Sequence, residues 1–184
     1  AARVSNNDFH ATLWIDGEPV DLGTIGGSDS QAFDANSNGW VTGWSLVPNG
    51  GPFDRRPFVW RDGKMEDLGT LGGDFGEAYA INEAGDIVGG ADVGPFPPYY
   101  RAFLWRDGEM FNLGGLEPDK ASEAKALNNA GLVVGRSWQT GDGWRAVAWF
   151  DGEITDLGTL RSDNSGQSTA LGVNDLGYIV GSSY

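Results

Sequence analysis

Short apolar runs that end in tryptophan return along the chain at His10–Trp14, Arg56–Trp60, Arg101–Trp105 and Arg145–Trp149. Each is followed by Asp-Gly and a second strand-like run, at Glu18–Leu22, Lys64–Leu68, Glu109–Leu113 and Glu153–Leu157. Asp-Gly between two apolar runs is a strong hairpin signal, because both central residues tolerate positive φ. Two further runs fill each period. One carries a small residue at its second position: Gln31–Ala35, Glu77–Ile81, Glu123–Leu127 and Thr169–Val173. The other carries a central glycine: Trp40–Ser45, Asp86–Ala91, Leu132–Ser137 and Tyr178–Ser183. A glycine inside a strand marks a bulge or a close backbone approach. An Asn-x-x-Gly turn joins these two runs at Asn36, Asn82, Asn128 and Asn174, in steps of 46 residues. We label the four runs A, B, C and D in the order small-residue, glycine, tryptophan, alternating.

Strand C is apolar on both faces, as Ala102, Phe103, Leu104 and Trp105 illustrate, so it must be covered from both sides. Units of this period cannot bury their own hydrophobic faces and must stack on neighbours. The pattern therefore predicts an all-β fold without helices, specifically a four-bladed β-propeller of about 46-residue repeats. A β-solenoid is the alternative, although its coils are usually shorter. Residues 1–184 read as one repeat domain, with complete blades at about 31–68, 77–113 and 122–157. The last blade is split, with residues 168–184 supplying strands A and B and residues 9–22 supplying C and D. Pairing of the terminal strands would close the ring and leave no exposed edge.

Twenty-six acidic and 12 basic residues give a net charge of −14, which repels nucleic acid and anionic membrane surfaces. No apolar run approaches the roughly 18 residues of a transmembrane helix, so no membrane span is expected. The absence of cysteine removes disulfides, thiolate metal sites and thiol nucleophiles. The chain opens on Ala-Ala-Arg-Val, so a signal peptide is expected to have been removed or to lie upstream.

His-Ala-Thr-Leu-Trp at 10–14, Asp-Gly-Glu-Pro-Val-Asp-Leu-Gly-Thr-Ile-Gly-Gly at 16–27 and the echo at 58–73 resemble the HAF-type bacterial extracellular repeat family. Ile81–Gly85 with Val88-Gly89 matches the family's second motif. The resemblance covers nearly the whole chain and implies a secreted or cell-surface protein of bacterial type. It transfers no catalytic residue. The chain departs from the family pattern where Arg56, Arg101 and Arg145 replace the name-giving histidine, and where Gly-Thr-Leu-Gly-Gly becomes Gly-Gly-Leu-Glu-Pro at 114–118 and Gly-Thr-Leu-Arg-Ser at 158–162.

Asp34 to Gly39 spells the first half of a calcium loop, Asp-x-Asn-x-Asn-Gly, but its twelfth position is Ser45 instead of glutamate. Its Asn36 and Gly39 are the ordinary A–B turn, so no metal is assigned. His10 stands where other copies hold arginine and reads as a donor to a carboxylate or carbonyl. Asp21, Asp67 and Asp156, with Asn112 in the remaining copy, read as structural hydrogen-bonding groups. Ser28, Ser45, Ser137 and Ser168 lack a nucleophile elbow or a nearby base. The reading is therefore not an enzyme, with no catalytic residue and no cofactor.

The B–C connections vary between copies and hold aromatics beside rigid prolines, which suits a binding face. Phe53, Phe96, Tyr99, Tyr100, Trp138 and Trp144 are the candidate ligand-binding residues, with a glycan or a protein as partner. The equally physical alternative has some of these aromatics folded down as lids over the blade tops. A second functional reading is a structural subunit of an extracellular filament or matrix. In that reading residues 10–22 and 168–183 exchange strands head to tail between copies.

Overall fold

A computed structural model describes residues 8–51, 54–94 and 99–184. The described chain is all-β. β1 (Thr12–Ile15) and β2 (Glu18–Asp21) form a hairpin. β3 (Ser30–Ala35), β4 (Val41–Leu46), β5 (Arg55–Arg61) and β6 (Lys64–Asp67) form a four-stranded sheet. β7 (Gly76–Ile81), β8 (Ile87–Asp92), β9 (Tyr100–Arg106) and β10 (Glu109–Gly114) form the next. β11 (Ser122–Leu127), β12 (Val133–Gln139), β13 (Gly143–Phe150) and β14 (Glu153–Gly158) form another, and β15 (Ser168–Val173) pairs with β16 (Ile179–Ser183). Every pairing is between sequential antiparallel strands, as the A-B-C-D meander predicts.

The hairpin turns follow from local chemistry. Asp62-Gly63 has φ values of 53° and 75°, and Asp107-Gly108 has 53° and 89°. Both residues of each pair thus sit in the left-handed region that a two-residue hairpin demands. The carboxylate one strand later then fastens the exit: Asp21, Asp67, Asn112 and Asp156 each accept a hydrogen bond of 2.8 Å from the amide two residues on. Their expected structural role is thereby accounted for.

Hydrophobic cores lie between successive sheets. Val59 and Leu68 of one unit pack with Ala78, Ile81, Ile87, Phe103 and Trp105 of the next. Val88 and Ala102 pack in turn with Ala124, Leu127, Val133 and Trp149. This explains why strand C is apolar on both faces: Phe58 and Val59 are both wholly buried, toward opposite neighbours. Strand B of each unit rests on strand A of the following one, β4 on β7, β8 on β11 and β12 on β15.

An asparagine ladder runs across the stack. Asn36 Nδ2 donates to the Asn82 carbonyl (3.0 Å), Asn82 Nδ2 to the Asn128 carbonyl (3.3 Å) and Asn128 Nδ2 to the Asn174 carbonyl (2.9 Å). The Oδ1 of each side chain meanwhile closes its own turn, as Asn128 does on the amides of Ala130 and Leu132. A parallel ladder runs one residue further on, through Ser37 and Glu83, Glu83 and Asn129, and Asn129 and Asp175.

The expected pairing of the terminal strands is not formed. β1–β2 and β15–β16 are separate two-stranded sheets, so the described residues do not make the fourth, split blade. The ladder is open in the same way, running from Asn36 to Asn174 without returning to Asn36.

The central glycine of strand B has the expected cause. A Cβ on Gly43, Gly89, Gly135 or Gly181 would overlap the carbonyl oxygen of Gln31, Glu77, Glu123 or Thr169 on the paired strand A. Gly135→Ala is therefore expected to cost about 1–3 kcal/mol, the range for overpacking a close-packed site. Urea denaturation measures this. A loss of only a few tenths would show that the strands have room to part.

Candidate ligand-binding site

The same close approach creates the site. Opposite each strand-B glycine the register slips by one residue, between Ala32 and Asp34, Ala78 and Ala80, Ala124 and Ala126, and Ala170 and Gly172. Phe33, Tyr79, Lys125 and Leu171 are the extra, unpaired residues of these bulges, and a bulge re-aims the side chain it carries. Successive bulge residues meet across the unit boundaries. The Phe33 and Tyr79 rings lie 5.7 Å apart and tilted by 36°, and Lys125 Nζ stands 4.1 Å from the Tyr79 ring centre.

Two carboxylates flank this column. Glu77 is ion-paired with Arg55 and accepts the Tyr79 hydroxyl (2.9 Å). The Tyr79 and Tyr100 hydroxyls are 3.1 Å apart. Glu123, one unit further on, accepts Arg136 Nε (2.7 Å) and pairs with Lys125 Nζ (2.9 Å). Both arginines are themselves steadied by aromatic rings, Arg55 at 4.0 Å over Trp44 and Arg136 at 4.1 Å over Trp144. Phe75, Glu77, Tyr79, Tyr100, Ala121, Glu123 and Trp144 together line a groove of about 350 Å³. A larger hollow, of about 600 Å³, lies away from this cluster against β1, β3 and β4.

Burial pushes the Tyr79 and Tyr100 phenols well above their ordinary value of 10.0; at Tyr79 it outweighs the hydrogen bond with Tyr100, which works downward, while Glu77 and Glu123 add to the rise at both and Tyr79 adds to it at Tyr100. Both remain O–H donors across the neutral range. Burial also works upward on Glu123, but the hydrogen bond from Arg136 and the charge of Lys125 outweigh it and hold the carboxyl below its ordinary 4.5.

No known family model, curated protein or solved structure matches the chain.

The sequence-predicted aromatics divide. Phe53 and Phe96 lie outside the described residues. Tyr99 is 40% exposed on the rim. Tyr100 begins β9, packs against Phe75 at 5.8 Å and lines the groove. Trp138 and Trp144 are not loop residues. They face each other across β12 and β13, edge to face at 5.5 Å, because the aromatics extend the hairpin through cross-strand packing. Neither folds down as a lid over the unit; Trp138 is 39% exposed and Trp144 borders the groove.

The calcium-like stretch is occupied by protein contacts. Asp34 accepts the amides of Ala35 and Ile81, Asn36 closes its turn, and the Asn38 amide donates to the Glu83 carbonyl. His10 Nδ1 lies 2.9 Å from Asp21 Oδ1, in the place that Arg145 and Asp156 take in the later unit. The buried serines serve the backbone: Ser168 Oγ accepts the Ala146 amide and donates to the Gly158 carbonyl.

Sequence reasoning missed Phe33, Tyr79, Lys125, Glu77 and Glu123. A signal was present, since Gln31, Glu77, Glu123 and Thr169 occupy one repeat position and differ within an otherwise uniform strand.

The depressed Glu123 fixes a pH dependence. A folded pKa below the unfolded one contributes stability above the unfolded value, and that contribution is lost as pH falls through the folded value. Stability measured from about pH 7 to about pH 3 should therefore fall less steeply in Glu123→Gln than in the parent chain. Parallel curves would rule out this carboxylate as a contributor.

Proposed function

We propose that the chain is a non-enzymatic, secreted or cell-surface binding module that takes a glycan along the groove beside Tyr79 and Trp144. The observation that carries this reading is the joint geometry of Glu77 and Glu123. Each is a strong acceptor locked by cations, and they flank the Tyr79 and Tyr100 hydroxyls and the Tyr79 and Trp144 rings that line the groove. Sugar hydroxyls need that mixture of fixed donors and acceptors, and the C–H faces of a sugar ring need flat apolar surface.

Glycoside hydrolysis would require one carboxyl kept protonated at neutral pH as a general acid. Arg136 and Lys125 work in the opposite direction at Glu123 and hold it ionised, and Glu77 is committed to its pair with Arg55. This supports binding over turnover. The resemblance to the HAF-type repeat supports an extracellular setting.

We extend the proposal to the architecture. The units succeed one another as propeller blades do, with strand A of each unit meeting strand A of the next, β3 with β7, β7 with β11 and β11 with β15. The arrangement is that of propeller blades, with the fourth blade, β15–β16 and β1–β2, left unpaired within the chain.

A glycan array followed by calorimetry tests the function. A saccharide ligand is expected, with affinity reduced roughly tenfold in Trp144→Ala, the size of one lost aromatic contact. Absence of any saccharide ligand, binding that survives Trp144→Ala, or release of hydrolysis products would each overturn the reading. Capture of a protein ligand by the same groove would replace the glycan.

A further inference from the structure

The two ends of the stack are unfinished in complementary ways. β16 occupies the strand-B position, and Val180 is 66% exposed where its counterparts Val88 and Val134 are fully buried. β1 occupies the strand-C position, and Trp14 is 67% exposed where Trp149 is 4% exposed. In each complete unit these two positions form a sheet. The 600 Å³ hollow lies on β3 and β4 beside β1, the place where strand B of a preceding unit packs on strand A everywhere else in the stack. A second hollow lies along β16, where a strand C is missing.

We infer that these ends join head to tail between copies of the chain, β15–β16 of one copy with β1–β2 of the next making one four-stranded sheet. The repeat dictates the register. Val88 opposes Leu104 and Val134 opposes Ala148, so Val180 opposes Leu13 of the next copy, and Ile179 opposes Trp14. The ladder continues in the same step. Among the described residues Asn174 Nδ2 makes no hydrogen bond, while its Oδ1 closes its turn on Leu176 and Tyr178. The Asn36 carbonyl stands at the other end as the acceptor that Asn82, Asn128 and Asn174 present to a preceding unit. A second copy is the occupant because β15–β16 and β1–β2 of one chain stand as separate two-stranded sheets, each lacking the partner that completes a unit elsewhere in the stack. With each copy at −14, long-range repulsion opposes the union, so salt strengthens it.

The chain has no cysteine, which makes the test direct. Opposed residues of an antiparallel pair have Cα atoms about 4.5–5.5 Å apart, within disulfide range. The double variant Leu13→Cys/Val180→Cys, shown to be folded by circular dichroism and oxidised mildly, should run on a non-reducing gel as a ladder of multiples of the chain mass. Leu13→Cys/Ser183→Cys, out of register, should not. Light scattering of the parent chain should show a mass that rises with concentration and with salt. Asn174→Asp keeps the turn acceptor and removes the donor, and should weaken association about tenfold. A monomer closed by its own disulfide, absence of the disulfide, a parent chain that stays monomeric at every concentration, or unchanged association in Asn174→Asp would overturn the inference.

Discussion

The stack depends on one side chain used in two directions. The asparagine of each A–B turn closes that turn through its carbonyl oxygen and reaches the next unit through its amide, so local and inter-unit geometry are set by the same rigid group. Asn82 and Asn128 are buried, where a lost partner would leave an unsatisfied polar group at a cost of about 1–3 kcal/mol. Hydrophobic cores between sheets supply most of the cohesion but are non-directional. The ladder supplies the direction, and with it the angle at which each unit meets the next.

Within that frame the strand-B glycine couples the fold to the groove. Removing a side chain lets the A and B backbones approach until no Cβ fits, and the register then slips by one residue. The displaced residue is freed from cross-strand pairing and faces its equivalents in neighbouring units. Repetition brings Phe33, Tyr79 and Lys125 into a column even though they are 46 positions apart. Variation at that repeat position therefore changes chemistry without disturbing the scaffold. The arginines at the edge of the column serve the same end, since a guanidinium over Trp44 or Trp144 stays in place beside its carboxylate, Glu77 or Glu123.

Most of the fold was legible because its signals are local. Asp-Gly turns, the glycine in strand B and the two-sided apolar strand C each carry a short-range physical cause, and β3 to β14 fall within a residue or two of the expected positions. The residues of the groove were less legible. Tyr100 and Trp144 were found as aromatics next to variable connections, but Trp138 and Trp144 were read as loop residues because their cross-strand pairing is visible only when both strands are in register. Tyr79 and Glu77 sit inside a strand, where alternation alone reveals neither the bulge that re-aims Tyr79 nor the ion pair of Glu77 with Arg55.

By itself the sequence determined the repeat, the all-β class, the order of strands in each unit and the turn chemistry, since all of these are dictated within one 46-residue period. Only the tertiary structure decided how one unit is set against the next. That angle arises from hydrogen bonds between Asn36, Asn82, Asn128 and Asn174, each 46 residues from its partner, and it is not encoded in any single period. The same stacking brings aromatic and charged residues of separate units together on one groove. A repeating sequence specifies its unit many times over, but the path of the array is a sum of contacts between units, which becomes visible only once they are stacked.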